Sequence, residues 1–162
     1  MWEKIKPYLK TYIIAIAIPL GVGLLSAFFT KDNMDLYSEI VTPPLAPPGW
    51  LFPVVWTLLY ALMGVSSAMV YMDRIVNPEA ARRGLTHYAI SLVVNFAWSI
   101  IFFNVRAFML AFIWLLLLLY LIIRTIISYH NVSPVAAYLQ IPYAVWVAFA
   151  GYLNLGVVIL NG

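Results

Sequence analysis

"TPPLAPPGWLFPVVWTLLYALMG", residues 42–64, changes character near its middle. Its first nine positions hold four prolines, a glycine and a tryptophan, and the remainder is apolar and uncharged. Proline fixes φ and removes a backbone donor, so the first part is a stiffened connection rather than the interior of a helix or sheet. The second part, carried on to residue 72, is long enough at 1.5 Å per residue to cross about 30 Å of hydrocarbon. The stretch therefore reads as a rigid approach to a membrane helix.

Its surroundings agree. Across 162 residues, 65% are apolar and 9% charged, and the mean hydropathy is +0.96. Soluble domains carry charge at about a quarter of positions, so the chain reads as an all-α integral membrane protein. The net charge of +3 needs no nucleic acid to explain it. With no cysteine, thiolate ligands, thiol nucleophiles and disulfides are excluded.

Cutting the apolar runs at their charged or proline-bearing joints gives a single domain over 1–162 with five spans: 9–29, 50–72, 84–104, 107–128 and 134–160. The run from Thr11 to Phe29 is long enough to span and is followed by no small-residue cleavage site, which favours a retained helix over a signal peptide. Ser133-Pro134 and Asn77-Pro78 mark helix starts or turns. Pro19 and Pro142 fall inside spans, where each deletes a hydrogen bond and is expected to kink its helix. Only the first connection, residues 30–49, is long; it is polar at first and then proline-rich. With the N-terminus cytoplasmic, Lys4, Lys6, Lys10, Arg74, Arg82, Arg83 and Arg124 are inside, and Lys31 and Arg106 outside; that bias sets the expected orientation, with the first connection and the C-terminus outside.

Buried charge marks ion paths and proton relays in membrane proteins, and here Glu3, Asp32, Asp35, Glu39, Asp73 and Glu79 all sit in termini or connections. Acid-lined channels and carboxylate-driven exporters are disfavoured accordingly. His87 has no second ligand placed beside it, so no metal site is expected. What remains for specificity is aromatic and amide. Trp56, Tyr60, Met63 and Ser67 fall on one helical face, as do Asn95, Trp98, Ser99 and Phe102, and Tyr143, Trp146, Val147, Ala150 and Asn154. Trp56, Trp98 and Asn95 lie roughly 9 to 14 Å below their helix ends and Trp146 near mid-membrane, deeper than the interfacial belt where membrane tryptophans concentrate. Deep tryptophans also pack between helices, and Asn95 also suits an interhelical bond. Trp2, Trp50 and Trp114 read as belt or lipid-facing residues. Gly64-x-x-x-Ala68 and Ala107-x-x-x-Ala111 permit close helix approach.

Three blocks, Thr42–Gly64 quoted above, "NFAWSIIFF" from Asn95 to Phe103 and "AAYLQIPYAVWVAFAGYLN" from Ala136 to Asn154, resemble the TspO/MBR family of translocator and tryptophan-rich sensory proteins. The resemblance extends over nearly the whole chain. It implies a five-transmembrane-helix bundle, commonly a homodimer in the lipid bilayer, with a pocket in the outer half closed by the first loop. It further implies a receptor or sensor for tetrapyrroles such as protoporphyrin IX and haem, or for isoquinoline carboxamide and benzodiazepine drugs, with no cofactor required. The matching ligand-contacting positions are Trp56, Asn95, Trp98, Ser99, Trp146 and Ala150, with Pro47 and Pro48 on the lid; Tyr60, Phe102 and Tyr143 join them from the helical faces. Two alternatives stand beside the receptor: photo-oxidative breakdown of porphyrin with Trp56 and Trp146 as the catalytic residues, and transport of porphyrin or lipid. Against the family pattern, Leu45 stands where an aromatic is frequent, Leu36-Tyr37 where a Trp-Tyr pair is, Thr42 where a Lys is, and Gln140 at an ordinarily apolar place. The sterol pattern after the fifth span is absent, since no Lys or Arg follows Arg124. Prolines 47 and 48 are expected to act as a pre-stiffened hinge that lowers the entropy lost when the lid orders.

Overall fold

The computed structural model describes the backbone of residues 2–161 and the side chains of residues 6–161; Trp2, Glu3 and Lys4, assigned roles above, have side chains outside that range. Six α-helices follow one another: α1 (Trp2–Thr30), the short α2 (Leu36–Glu39), α3 (Leu51–Met72), α4 (Pro78–Ser99), α5 (Phe108–His130) and α6 (Pro134–Asn161). Five of them are long and apolar enough to cross a membrane, so the chain is an integral, multi-pass membrane protein.

The helix starts have local causes. Asn77 caps α4 by accepting from the Ala80 amide at 3.1 Å, with Pro78 at the first helical position where no partner for its nitrogen is needed. Ser133 does the same for Ala136 at 3.4 Å. Because the cap is at Asn77, α4 begins at Pro78 rather than at residue 84, and its first turns carry Arg82 and Arg83. Likewise α1 reaches back to Trp2 rather than 9, with Pro7 and Pro19 both inside one continuous helix, and Pro142 lies within α6. The end of the third span departs most from expectation. Residues 100–105 form a π-helical turn, which closes with Arg106 in the left-handed region at φ 58°.

The helices form a ring in the order α1, α3, α6, α5, α4, with α4 returning to α1. Gly64 of α3 permits the α1–α3 contact, because a Cβ there would lie 2.5 Å from the backbone Cα of Ile16. The outward faces stay apolar: Ile13, Ile18, Leu24 and Phe28 on α1, and Ile113, Leu116 and Tyr120 on α5, are exposed, as lipid contact allows. Trp114 differs from its lipid-facing reading. It is partly buried, and its indole Nε1 donates to the Val94 carbonyl at 2.9 Å, tying α5 to α4.

Inside the ring a polar layer joins the helices. Ser67 and the Tyr129 hydroxyl are 2.8 Å apart; Gln140 Nε2 donates to Ser66 Oγ at 3.2 Å, and Ser66 in turn to the Ala136 carbonyl at 2.7 Å. Gln140 is fully buried, so its polar head at an ordinarily apolar position serves as an α6–α3 tie.

Candidate functional site

The three faces read from sequence converge. At the end of the bundle where the first connection lies, α1, α3, α4, α6 and that connection enclose a cavity of about 660 Å³. Trp56 stacks on Tyr60 at 5.5 Å and 29°, while Phe52, one turn earlier on α3, meets Trp146 of α6 edge-on at 5.8 Å. On α4, Trp98 stacks on Phe102 at 5.1 Å and 28°. The π turn begins just beyond Ser99, and both Phe102 and Phe103 contribute to the wall.

Two amides organise the polar groups. Asn95 is 3% exposed; its Nδ2 faces the hydroxyls of Tyr60 and Tyr143 at 3.4 Å each, long contacts that join α4 to α3 and α6. Asn154 accepts from Trp98 Nε1 at 3.1 Å and donates to the Phe108 carbonyl at 2.9 Å, which fixes the Trp98 plane against α6. The Trp146 Nε1 is buried with no protein partner although Trp146 lines the cavity. It is an unspent donor, the kind of group whose satisfaction a ligand or water can supply.

The first connection is fastened over this space. After a 3₁₀ turn (Lys31–Asn33) and α2, residues Pro43–Ala46 make a turn closed by Ala46 N to Pro43 O at 3.3 Å. Pro44 takes its second position and Leu45, at φ 71°, its third, the type II pattern in which glycine is usual. Holding a leucine there costs about 1 kcal/mol, offset by contacts on either side. The Asn161 amide accepts from Val41 N at 2.9 Å and donates to Val41 O at 2.8 Å; Tyr152 donates to Pro44 O at 2.7 Å, and Tyr37 to Pro47 O. Burial raises the Tyr37 phenol above its ordinary pKa, favouring this neutral donor. Pro43 rests on Gly156, where a Cβ would approach its ring to 2.5 Å. At the other edge Asn33 bonds Asn104 at 2.7 Å and Arg106 pairs with Glu39 at 3.6 Å.

Of the residues singled out from sequence, Trp56, Tyr60, Asn95, Trp98, Ser99, Phe102, Trp146 and Ala150 line the cavity. Tyr143 does not: it is 1% exposed and stands behind Asn95 as a support. Pro47 and Pro48 are also outside the lining. The Pro47 carbonyl receives Tyr37, and the Pro48 carbonyl accepts from Leu51 N at 3.0 Å at the start of α3, so both shape the approach to the helix. The connection instead presents Asp35, Tyr37, Thr42, Pro43, Ala46 and Gly49. Asn154, read on the same α6 face as Trp146 and Ala150, lines the cavity too, whereas sequence reading missed Phe52 and the α1 wall of Leu20, Gly23, Ala27 and Thr30. Phe52 was legible at i−4 from Trp56. The α1 stripe carries no distinctive chemistry and gave no signal.

The family model described as TspO/MBR family matches residues 15–160. The chain is 36% identical over 152 residues to the tryptophan-rich protein TspO of Chlorobaculum tepidum, covering 93% of this chain and 96% of that one. It is 36% identical over 150 residues to the protein CrtK of Rhodobacter capsulatus, with 93% and 90% covered. To the human translocator protein it is 33% identical over 148 residues, with 91% and 88% covered.

Proposed function

The chain belongs to the TspO/MBR family, and from that premise we propose that it is a membrane receptor or sensor that holds a tetrapyrrole such as protoporphyrin IX or haem, or an isoquinoline carboxamide or benzodiazepine-type drug, in the aromatic cavity beneath the first connection. The observation that carries this reading is the convergence of Trp56, Trp98 and Trp146 around about 660 Å³, a volume within the range of small-molecule sites. A flat apolar ring gains dispersion and stacking against the indoles. The free Trp146 N–H and the Asn95 amide are the polar groups placed to orient its edge. The protein is further read as a homodimer, as the family resemblance implies, and as having its N-terminus cytoplasmic and its lid outside, on the Lys and Arg bias.

The test is a titration of the protein in nonionic detergent with protoporphyrin IX in the dark, followed by tryptophan quenching. Saturable binding weakened about five- to tenfold in Asn95→Ala is expected from the loss of one hydrogen-bonding group; absence of saturation refutes the tetrapyrrole reading. Illuminating the complex tests the photo-oxidative alternative. Bleaching of the Soret band that is lost in Trp56→Phe and Trp146→Phe but kept in Trp50→Phe, a residue 69% exposed, would make the protein an enzyme. Ligand flux in proteoliposomes tests the transport reading suggested by the name of the human relative.

A further inference from the structure

Among the described residues, Asp35 is the one charged residue that lines the cavity. It lies just ahead of α2, where its carbonyl receives the Ser38 hydroxyl at 2.8 Å, and it enters no ion pair with a described residue. The neighbouring cations are otherwise engaged: Lys31 sits 4.6 Å over the Phe28 ring, and Arg106 pairs with Glu39 at 3.6 Å. Asp32 adds further negative charge to the same connection. The remaining lining is aromatic, aliphatic, hydroxyl and amide, and no Lys or Arg among the described residues contributes to it. A ligand carboxylate at this mouth would lose hydration without gaining a cation and would face a fixed carboxylate. A ligand ammonium would gain a partner.

We propose that Asp35 sets the charge class of the ligand, so that the cavity takes an apolar polycyclic molecule whose mouth-facing edge is neutral or cationic and discriminates against the same ring carrying carboxylates there. This deepens the receptor reading and rests on it. For tetrapyrroles it means that esterified or amine-bearing rings are preferred to the free dicarboxylic acid. Because Asp35 is exposed, water and salt screen its field, and a surface pair of this kind corresponds to roughly a 1.5- to fivefold preference per charge.

The test compares protoporphyrin IX, its dimethyl ester and its bis-amide with a short diamine, each titrated in maltoside detergent at low salt against wild type, Asp35→Asn and Asp35→Lys. In wild type the diamine derivative should bind tightest and the diacid weakest. The gap should shrink in Asp35→Asn, reverse in Asp35→Lys and narrow in 0.5 M salt, while the ester binds all three proteins alike and thereby reports an intact fold. An order of affinities that is the same in all three proteins overturns the proposal. If none of the three porphyrins binds wild type, the tetrapyrrole reading falls by itself, and the same comparison with a neutral isoquinoline carboxamide and its amine and carboxylate derivatives decides the charge preference. Failure of both ring series to bind overturns both ideas.

Discussion

Replacing Asn161 by alanine removes the strongest visible fastening of the first connection. The amide makes two bonds to Val41, at 2.9 and 2.8 Å, and a third to the Val157 carbonyl of its own helix at 2.9 Å. Only the first two hold the connection down. Both lie at exposed positions, where each bond contributes toward the low end of about 0.5–1.5 kcal/mol because water competes for the freed groups. Their joint loss should therefore cost closure about 1–2 kcal/mol, which raises the open population roughly 5- to 30-fold. The remaining contacts, Tyr152 to Pro44 and Pro43 on Gly156, keep the closed form in the majority. Hydrogen exchange read by mass spectrometry should show faster exchange over residues 40–46, with the Val41 amide leading, and unchanged protection in α5. Dissociation of a bound ligand should accelerate by a similar factor, with a smaller effect on association. Wild-type exchange rates over residues 40–46 in Asn161→Ala would refute the assignment of Asn161 as the latch.

Three further outcomes follow from single contacts. Ser67→Ala strands the buried Tyr129 hydroxyl and should lower stability by about 1–3 kcal/mol, seen as a lower midpoint of thermal unfolding in detergent; the double variant with Tyr129→Phe should recover part of it. Gly64→Ala places a Cβ 2.5 Å from the Ile16 Cα, so α1 must shift; a cost of about 1–3 kcal/mol is expected, whereas Gly21→Ala, with nothing within 4 Å, should be harmless in the same melt. Raising the pH should loosen the Tyr37 latch, since a phenol whose pKa is raised on folding contributes stability that is complete below its unfolded value and is lost as pH rises through its folded one. Exchange over residues 44–50 should accelerate above pH 10 in wild type and be flat with pH in Tyr37→Phe once the intrinsic rate is divided out.

The sequence by itself determined the class of protein and the number of spans, because transfer of a side chain into hydrocarbon is a local quantity that adds along the chain. It also determined which residues share a helical face: Trp56 with Tyr60, Trp98 with Phe102 and Trp146 with Ala150 follow from 3.6 residues per turn alone. Helix ends were legible where a cap and a proline coincide, as at Ser133-Pro134, and misjudged at α4, where polar residues in the first turns hid a helix that Asn77 starts six positions earlier than the expected residue 84. What faces what was decided only by tertiary structure. Tyr143 and Trp146 are three apart on α6, yet one supports Asn95 and the other lines the cavity, a difference set by the neighbouring helices. The lid latch joins Val41 to Asn161 across 120 positions and Pro44 to Tyr152 across 108; such bonds have no local period to betray them. Asp35 read as an ordinary loop charge, and only the fold brings that position into the cavity lining while pairing Glu39 with Arg106.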